Sequence, residues 1–231
     1  MHLAAVACGL LILGSAAPAL AQPDAFARPN AEARAPNFLG ATGLLLAPSA
    51  HVQRDREVSI VAAGNARFVA GGAVVGVGNR MELGAAVLDS GDEFAAGETE
   101  LLANARLNLF PETLIRPAFS VGVSDALDAL DLGPGWYLVT SKTIIPYFVR
   151  AVAGREAALK LHLGYGGGIY DEEPFAGLEL FGPGSLSGMA EVVHGRVNLG
   201  ARFFRRGLCV TAGLFALDHG GGSISYSLPL R

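Results

Sequence analysis

Two groups of acidic residues are the first candidates for a functional site, in this case one that binds a divalent cation. Asp125, Asp128 and Asp131 lie three residues apart in a stretch without strand alternation, and Asp-Glu-Glu at 171–173 forms a second run. Carboxylate oxygens gathered in a loop are ligands that Ca²⁺ accepts. The spacing lacks the loop glycine and the distal glutamate of an EF-hand, so it favours a solvated loop. Divalent ions that bridge these loops to lipid headgroups are the alternative.

A histidine and several serines form the second candidate, which is nucleophilic catalysis. His162 and Lys160 share one face of an alternating segment. Three serines share one face of the last segment: Ser223, Ser225 and Ser227. A histidine can act as general base for a serine nucleophile, for instance in lipid hydrolysis. The sequence does not fix their geometry, and a polar network that pairs His162 with Glu179 or Glu191 is favoured.

The remaining motifs predict neither a cofactor nor a metal. The glycine runs at 76–78 and 166–168 lack the Lys-Ser/Thr and the helix of a phosphate-binding loop, so they predict turns and closely packed strands. No His-Glu-x-x-His spacing is present. Of the 2 cysteines, Cys8 lies in an apolar amino-terminal run, so no intrachain disulfide is predicted. We expect Cys209 to point inward as a small packing residue.

Short strands are the elements that must position these residues. Between 100 and 109, Glu100, Asn104, Arg106 and Asn108 alternate with leucines and alanines, and only Leu102 breaks the pattern. A period of two is that of a strand, whose successive side chains face opposite sides. The same signature predicts about twelve strands, each close to the roughly 9–11 residues of a tilted membrane strand. The candidate strands are 57–66, 69–77, 80–88, 100–109, 115–124, 136–144, 157–165, 174–181, 187–193, 196–203, 208–216 and 223–228.

The composition predicts that these strands form a closed antiparallel barrel in a membrane. Half of the chain, 51%, is hydrophobic and only 16% is charged. In lipid an open sheet edge leaves unpaired backbone groups, so only a closed barrel is viable. The apolar face then contacts lipid, where an arginine or lysine costs about 2–4 kcal/mol at the midplane. The residues predicted to line the interior are Glu82, Glu100, Arg106, Lys160, His162, Glu179, Glu191, Arg196 and Arg202.

A soluble β-sandwich or lipocalin-like barrel is the alternative fold. It would bury the apolar face and expose the charged one, but such proteins usually carry more charge than this chain. The net charge of −4 and the lack of a basic run argue against nucleic acid as a partner. Outer-membrane lipid is the partner that the predicted barrel requires.

The amino-terminal region predicts secretion. Residues 1–21 read as a signal peptide, with an apolar run over 3–14 and the small-residue site Ala19-Leu20-Ala21. Residues 22–54 are expected to be a leader that is periplasmic or partly inside the barrel, and residues 55–231 the barrel in the outer membrane.

The short turns at 78–80, 110–114, 182–186 and 205–207 alternate with the long connections 89–98 and 125–135, which predicts that the short turns face the periplasm. Aromatic residues near strand ends are candidates for interfacial girdles: Phe110, Trp136, Tyr147, Phe148, Phe203 and Phe204.

Several segments, in order and spacing, resemble the YjbH-like family of outer-membrane proteins associated with exopolysaccharide production. They are Gly-Ala-Thr-Gly-Leu-Leu-Leu-Ala-Pro-Ser-Ala at 40–50, Arg-Pro-Ala-Phe-Ser-Val-Gly-Val-Ser-Asp at 116–125, Trp-Tyr-Leu-Val-Thr-Ser-Lys at 136–142, Pro-Phe-Ala-Gly-Leu-Glu at 174–179, Ala-Glu at 190–191 and Val-Asn-Leu-Gly-Ala-Arg at 197–202. The resemblance covers nearly all of residues 38–228 and is that of a single barrel unit. It implies an outer-membrane barrel linked to export or assembly of surface polysaccharide, and it carries over no catalytic residue.

These observations lead to three functional hypotheses. The first is a non-enzymatic outer-membrane barrel that is an accessory to polysaccharide export or to its export-machinery proteins. Its interior is expected to be plugged or narrowed by side chains, and residues 38–54 are a candidate to occupy part of that space. A barrel of about twelve strands is narrower than porins of 16–18 strands. The second is a lipid-modifying outer-membrane enzyme, and the third is a structural or adhesive barrel that acts through its acidic loops.

Overall fold

The computed structural model describes residues 34–89, 99–144, 157–182 and 185–230. The predicted signal peptide and residues 22–33 of the leader lie outside the described residues. The described chain forms one 3₁₀ turn, Gly168–Tyr170, and twelve strands. The strands are β1 Glu57–Asn65, β2 Val69–Val77, β3 Met81–Asp89, β4 Thr99–Phe110, β5 Ala118–Ser124, β6 Gly135–Ile144, β7 Ala158–Gly166, β8 Glu173–Phe181, β9 Leu186–Val193, β10 Arg196–Arg205, β11 Leu208–Phe215 and β12 His219–Pro229. No helix in these residues is long and apolar enough to cross a membrane.

The strands close into a barrel, as the sequence predicts. Each strand pairs antiparallel with the next one along the chain, and β1 pairs with β12, for example Val58 opposite Leu228. Every strand therefore has two neighbours, and no sheet edge remains open. The predicted fold class, an all-β antiparallel barrel of about twelve strands, is confirmed.

Tight turns join several of the strands because their residues tolerate a left-handed backbone. His194 and Gly195 between β9 and β10 have φ of 52° and 64°, and Arg206 and Gly207 between β10 and β11 have φ of 49° and 85°. Two successive residues with positive φ match the twist of the strands that they connect. These two hairpins lie at opposite ends of the barrel. The terminal end, where β1 begins and β12 ends, holds the connections 78–80, 111–117 and 206–207, and the loop end holds 66–68, 125–134, 167–172, 194–195 and 216–218.

The fifth strand starts later than its alternation predicts. Alternation places its start at 115, whereas β5 begins at Ala118. Pro117 has no backbone N–H to donate to a neighbouring strand. Before it the chain turns, with the N–H of Thr113 donating to the carbonyl of Arg116 at 2.9 Å. This turn carries Glu112 into the barrel interior.

The outer surface of the barrel is apolar. Large hydrophobic side chains are exposed on every strand except β5, whose outward Phe119, Val121 and Val123 are half-buried. Leu163 at the middle of β7 is 57% exposed and Leu101 on β4 is 51% exposed. The polar side chains of the same strands, such as Asn104 on β4, point inward and are buried.

Polar and aromatic side chains on the outer surface lie near the two ends. Lys142 of β6 lies on the outward side near the terminal end, where its ammonium donates to the carbonyls of Thr113 and Leu114 at 2.7 and 2.9 Å. Exposed aromatic residues lie at both ends: Trp136 and Tyr165 at the loop end, and Phe110, Phe203 and Tyr226 at the terminal end. Of the predicted girdle, Phe204 is half-buried on the inward side, and Tyr147 and Phe148 lie outside the described residues.

Residues 34–53, here called the lumen segment, fill the interior of the barrel. The segment begins near the terminal end, where the side-chain amide of Gln53 donates to the carbonyl of Arg34 at 2.7 Å. It runs towards the loop end, where Phe38 packs edge-on against Phe68 and Phe215 at ring centroid distances of 6.4 and 5.0 Å. From there it descends to Thr42, beside Glu82 near the terminal end, and rises again, so that the carbonyl of Leu45 accepts the N–H of Phe38 at 3.0 Å. It finally returns to the terminal end and continues into β1. Residues 34–42, before the turn at 43–47, are here called the outgoing arm, and residues 48–53 the returning arm. Most of its residues are buried by the wall.

Candidate functional site

The interface between the lumen segment and the barrel wall contains most of the buried charges. Because buried polar groups must be paired, each charged wall residue has partners on the segment or on a neighbouring strand. The buried charged residues at this interface are Glu82, Arg106, Glu112, Lys160, Glu179, Glu191 and Arg202. Three of these are cationic and four are anionic. Together these seven residues bind the lumen segment through groups of both charges, and they are here called the clamp.

Glu191 on β9 binds the tip of the lumen segment. Its carboxylate accepts the backbone N–H groups of Leu45, Leu46 and Ala47 at 3.1, 2.9 and 3.0 Å. The side-chain amide of Asn198 on β10 donates to the same carboxylate at 2.9 Å. Hydrogen bonds to an ionised acceptor are stronger than neutral ones. A single wall carboxylate thus satisfies three successive amides of a turn that has no strand partner.

Glu82 on β3 binds both arms of the lumen segment. One of its carboxylate oxygens accepts the N–H of Thr42 at 2.9 Å, and the other accepts the N–H of Gln53 at 3.0 Å and the hydroxyl of Thr42. The guanidinium of Arg106 lies 3.7 Å from the same carboxylate. Since residues 42 and 53 belong to the outgoing and the returning arms, Glu82 ties the two arms together.

Arg202 on β10 binds the two backbone carbonyls that directly precede the amides bound by Glu191. Its guanidinium donates to the carbonyl of Gly43 at 2.6 Å and also to that of Leu44. A second guanidinium nitrogen lies 3.6 Å from the carboxylate of Glu179, and Ser187 donates to that carboxylate at 3.1 Å. The turn at 43–47 is therefore held by a cation on its carbonyls and an anion on its amides.

Arg106 on β4 holds the returning arm. Its guanidinium donates to the carbonyl of His51 at 2.7 Å and to the hydroxyl of Tyr137 at 2.8 Å. Next to it, Asn108 and Ser120 both donate to the carbonyl of Ala50 at 2.7 Å. These contacts place the returning arm against β4 and β5 along its length.

Lys160 on β7 lies between His51 and Glu112. Its ammonium is 2.7 Å from Nε2 of His51 and 2.9 Å from a carboxylate oxygen of Glu112. Burial, followed by the positive charge of Lys160, holds the pKa of His51 well below its usual range. The imidazole is therefore neutral and accepts the ammonium proton at Nε2, and its 3.6 Å approach to Glu112 is a polar contact and not an ion pair.

His162 occupies a position different from the one that the sequence favours. Its Nδ1 is 2.8 Å from the hydroxyl of Ser141 on β6. Glu179 and Glu191 are bonded to Arg202 and to the lumen segment instead, so the expected pairing with His162 is wrong. The three serines of β12 are not its partners either. The hydroxyl of Ser141 also accepts the N–H of Ala50 at 2.8 Å, and both side chains are fully buried, which leaves no path for a substrate to this Ser–His pair.

Two of the residues predicted for the interior lie at its mouth. Arg196 at the start of β10 is exposed at the loop end, and Glu100 near the start of β4 is half-buried at the same end. The other predicted residues, Glu82, Arg106, Lys160, His162, Glu179, Glu191 and Arg202, point into the lumen and are buried. Cys209 is also buried on the inward side.

Sequence reasoning missed two titratable groups of the clamp, Glu112 and His51. Glu112 was placed in a periplasmic turn and His51 in the leader, and neither segment alternates. The available signal was a lone glutamate next to Pro111 in a turn, 110–114, that carries no other ionisable side chain. Such a residue is a candidate for burial opposite a lysine, but its partner on β7 lies 48 residues away.

The acidic loop residues organise their own loop. The carboxylate of Asp125 is fully buried and accepts the N–H groups of Ala129 and Leu130 at 2.9 and 3.0 Å. The carboxylate of Asp128 accepts the N–H of Gly133 at 2.7 Å. These carboxylates bind amides four and five residues later in the chain and so hold the loop in its shape. Among the described residues, no group of three or more His, Cys, Asp or Glu side chains is arranged to hold a metal ion.

Comparison with known proteins gives only a distant similarity to solved structures. No family model matches the chain, and no curated protein matches it. Among solved structures, two triple mutants of Rhodopseudomonas blastica porin match with 7% identity, over 70% and 71% of this chain, with TM-scores of 0.33 and 0.32. The match covers 56% of the length of each of those porins. At this level of similarity nothing about function transfers from the porins to this chain.

Proposed function

We propose that the chain is an outer-membrane β-barrel, closed by its own lumen segment, that serves as a non-enzymatic accessory to surface polysaccharide export or assembly. The observation that carries the proposal is the distribution of polarity over a closed barrel. Apolar side chains face outward, and the buried charges face inward onto the lumen segment.

The outer surface of the barrel supports the membrane location. Monomeric soluble proteins rarely expose apolar patches larger than a few hundred Å². Here exposed Leu, Val and Ile side chains surround the barrel, while exposed aromatic residues lie at its two ends. Lys142 reaches a carbonyl at the rim, which is how a lysine avoids hydrocarbon. This arrangement fits a band of lipid between two interfaces.

The closed lumen argues for a scaffold or accessory role and against an open pore. Arms of the lumen segment contact β3, β4, β6, β7, β9 and β10 through the hydrogen bonds of the clamp. Passage of a hydrophilic solute requires release of this segment, because it occupies the interior. The expected state of the isolated protein is therefore non-conducting.

The link to polysaccharide depends on the resemblance to YjbH-like proteins. Segments that carry the resemblance contact one another at the clamp, which supports the interpretation that they form one structural unit. Leu45 of the segment 40–50 contacts Glu191, and Arg202 of the segment 197–202 contacts Gly43. Ser141 of the segment 136–142 accepts the N–H of Ala50 of the segment 40–50.

The test is fractionation of cells that express the protein, followed by a gel of boiled and unboiled outer-membrane fractions. The proposal expects a band in that fraction whose mobility changes on boiling. Recovery as a soluble periplasmic protein would overturn the membrane assignment. A strain that lacks the gene tests the second half: the proposal expects a change in bound and released surface polysaccharide that the intact gene restores, and unchanged polysaccharide would refute that role alone.

A further inference from the structure

The loop end of the barrel carries an open cavity that the clamp does not use. Its volume is about 610 Å³, within the range of pockets that bind small molecules. The lumen segment forms its floor through Leu39 and Leu46, which are half-buried, and Leu132 of the loop 125–134 is exposed on its wall. Mouths of β-barrels are among the preferred positions of ligand sites.

The floor and walls of this cavity are apolar although it opens at the end of the barrel and not towards lipid. Besides the three leucines, the wall includes Phe68, Leu102, Ile169, Val193 and Phe215. An apolar concavity that opens to water favours burial of a hydrocarbon group, at roughly 25 cal/mol for each Å² removed from water. The floor therefore selects for a ligand with an apolar part.

The rim of the cavity is polar and carries an arginine without an ion-pair partner. Within the described residues no carboxylate lies within ion-pair distance of Arg196. The lining also holds a second arginine, Arg67, the two histidines His194 and His219, and one acidic residue, Asp171. The ring of His219 stacks on Phe215 at 5.9 Å, which places a ring N–H donor beside the apolar wall. An anionic head above an apolar floor is the complementary ligand chemistry.

We propose that this cavity binds an anionic amphiphile with a single acyl chain, the chain on the leucine floor and a carboxylate or phosphate head at Arg196. The site is independent of the polysaccharide role and requires only the folded barrel. It makes the tip of the lumen segment a ligand contact, since Leu46 lines the cavity and its N–H is one of the three amides that Glu191 binds.

The test uses a dansyl-labelled undecanoic acid and the full chain in phosphatidylcholine nanodiscs, with the signal of empty nanodiscs subtracted. The proposal expects a saturable rise in dansyl emission. Arg196→Gln should raise the dissociation constant for the acid by about tenfold or more, because a charge-assisted contact is lost. The same variant should leave the affinity for the matching dansyl-labelled alcohol unchanged. Arg205→Gln, at the other end of the same strand, is the matched control and should leave both affinities unchanged.

Leu132→Glu places a carboxylate on the wall of the cavity at an exposed loop position that the fold tolerates, and it should weaken binding of both probes. Decanoate and decyl phosphate are then compared as competitors, and displacement by one alone identifies the head group that the site prefers. The shift in gel mobility on boiling shows that each variant is folded. The proposal is overturned by absence of a saturable signal, by equal affinities of the native protein and Arg196→Gln for the acid, or by failure of both competitors.

Discussion

Replacement of Glu191 by Gln is the sharpest perturbation of the clamp. The carboxylate accepts three backbone N–H groups of the lumen segment and one side-chain amide within 3.1 Å. A glutamine keeps one acceptor oxygen and turns an NH₂ group towards donors, so about two of the three backbone bonds are lost. Bonds to a charged group contribute about 1.5–3 kcal/mol each, which gives a loss of roughly 3–6 kcal/mol for the closed position of the tip.

Hydrogen exchange at residues 43–48, followed by mass spectrometry, measures this loss. Local opening governs exchange of protected amides, so a loss of that size should accelerate exchange there by roughly 10²- to 10⁴-fold. Strand amides of β4 should keep their protection, because the barrel hydrogen bonds are untouched. Glu173→Gln at the exposed start of β8 is the matched control and should leave exchange at 43–48 unchanged. Native protection of residues 43–48 in Glu191→Gln would refute the clamp.

Three further predictions follow from the wall, the packing and the titration of the lumen segment. Leu163→Arg places a charge on the lipid-facing middle of β7 and should destabilise the folded barrel in vesicles by about 2–4 kcal/mol, measured by urea titration. Gly177→Ala adds a Cβ that lies 2.6 Å from Cδ2 of Leu44, so we expect a loss of about 1–3 kcal/mol and faster exchange at residues 43–48. His51 resists protonation in the folded state because burial and Lys160 lower its pKa, whereas an unfolded histidine takes a proton below about pH 6.5. The unfolded state then binds more protons, so stability should decrease as pH falls through 6.5, and His51→Asn should lessen that slope in thermal unfolding between pH 7.5 and 5.

Each of these predictions has an outcome that would contradict it. A Leu163→Arg protein as stable as a Leu163→Ala protein in vesicles would mean that this face does not contact hydrocarbon. Native exchange in Gly177→Ala would mean that Leu44 is not packed against β8. An identical pH slope in His51→Asn would mean that His51 does not carry the acid sensitivity of the folded protein.

The barrel could be predicted from sequence because each strand carries its own signal. Leu159, Leu161 and Leu163 alternate with Lys160 and His162, which separates the two faces of β7, and a lipid environment assigns the charged face to the interior. Closure needed one further argument, namely that lipid does not tolerate an open edge. The start of β5 was missed because Pro117 ends the alternation without leaving a periodic trace.

The sequence predicts which side chains of the clamp point inward. It does not predict which residues of the lumen segment they bind. Glu191 binds amides that lie 144 to 146 residues earlier in the sequence. The lumen segment itself lacks periodicity, since its backbone groups are satisfied partly by wall side chains and partly by irregular backbone bonds within the segment, and not by a continuous ladder. The prediction of a partner for His162 was wrong for the same reason. The alternation within β7 shows which face of the strand carries His162, but its neighbour Ser141 is determined by the register between β6 and β7.

The most direct measurement of the central claim is the collision accessibility of a nitroxide label at residue 103. Ala103 lies on the outward side of the middle of β4. The label is attached to a cysteine introduced at this position, in a chain in which Cys8 and Cys209 are replaced by alanine and which is folded into vesicles. A lipid-facing barrel predicts high accessibility to oxygen, which partitions into the bilayer, and low accessibility to a water-soluble nickel chelate. High accessibility to the nickel chelate would contradict the account, because it would place the apolar outer surface of β4 in water.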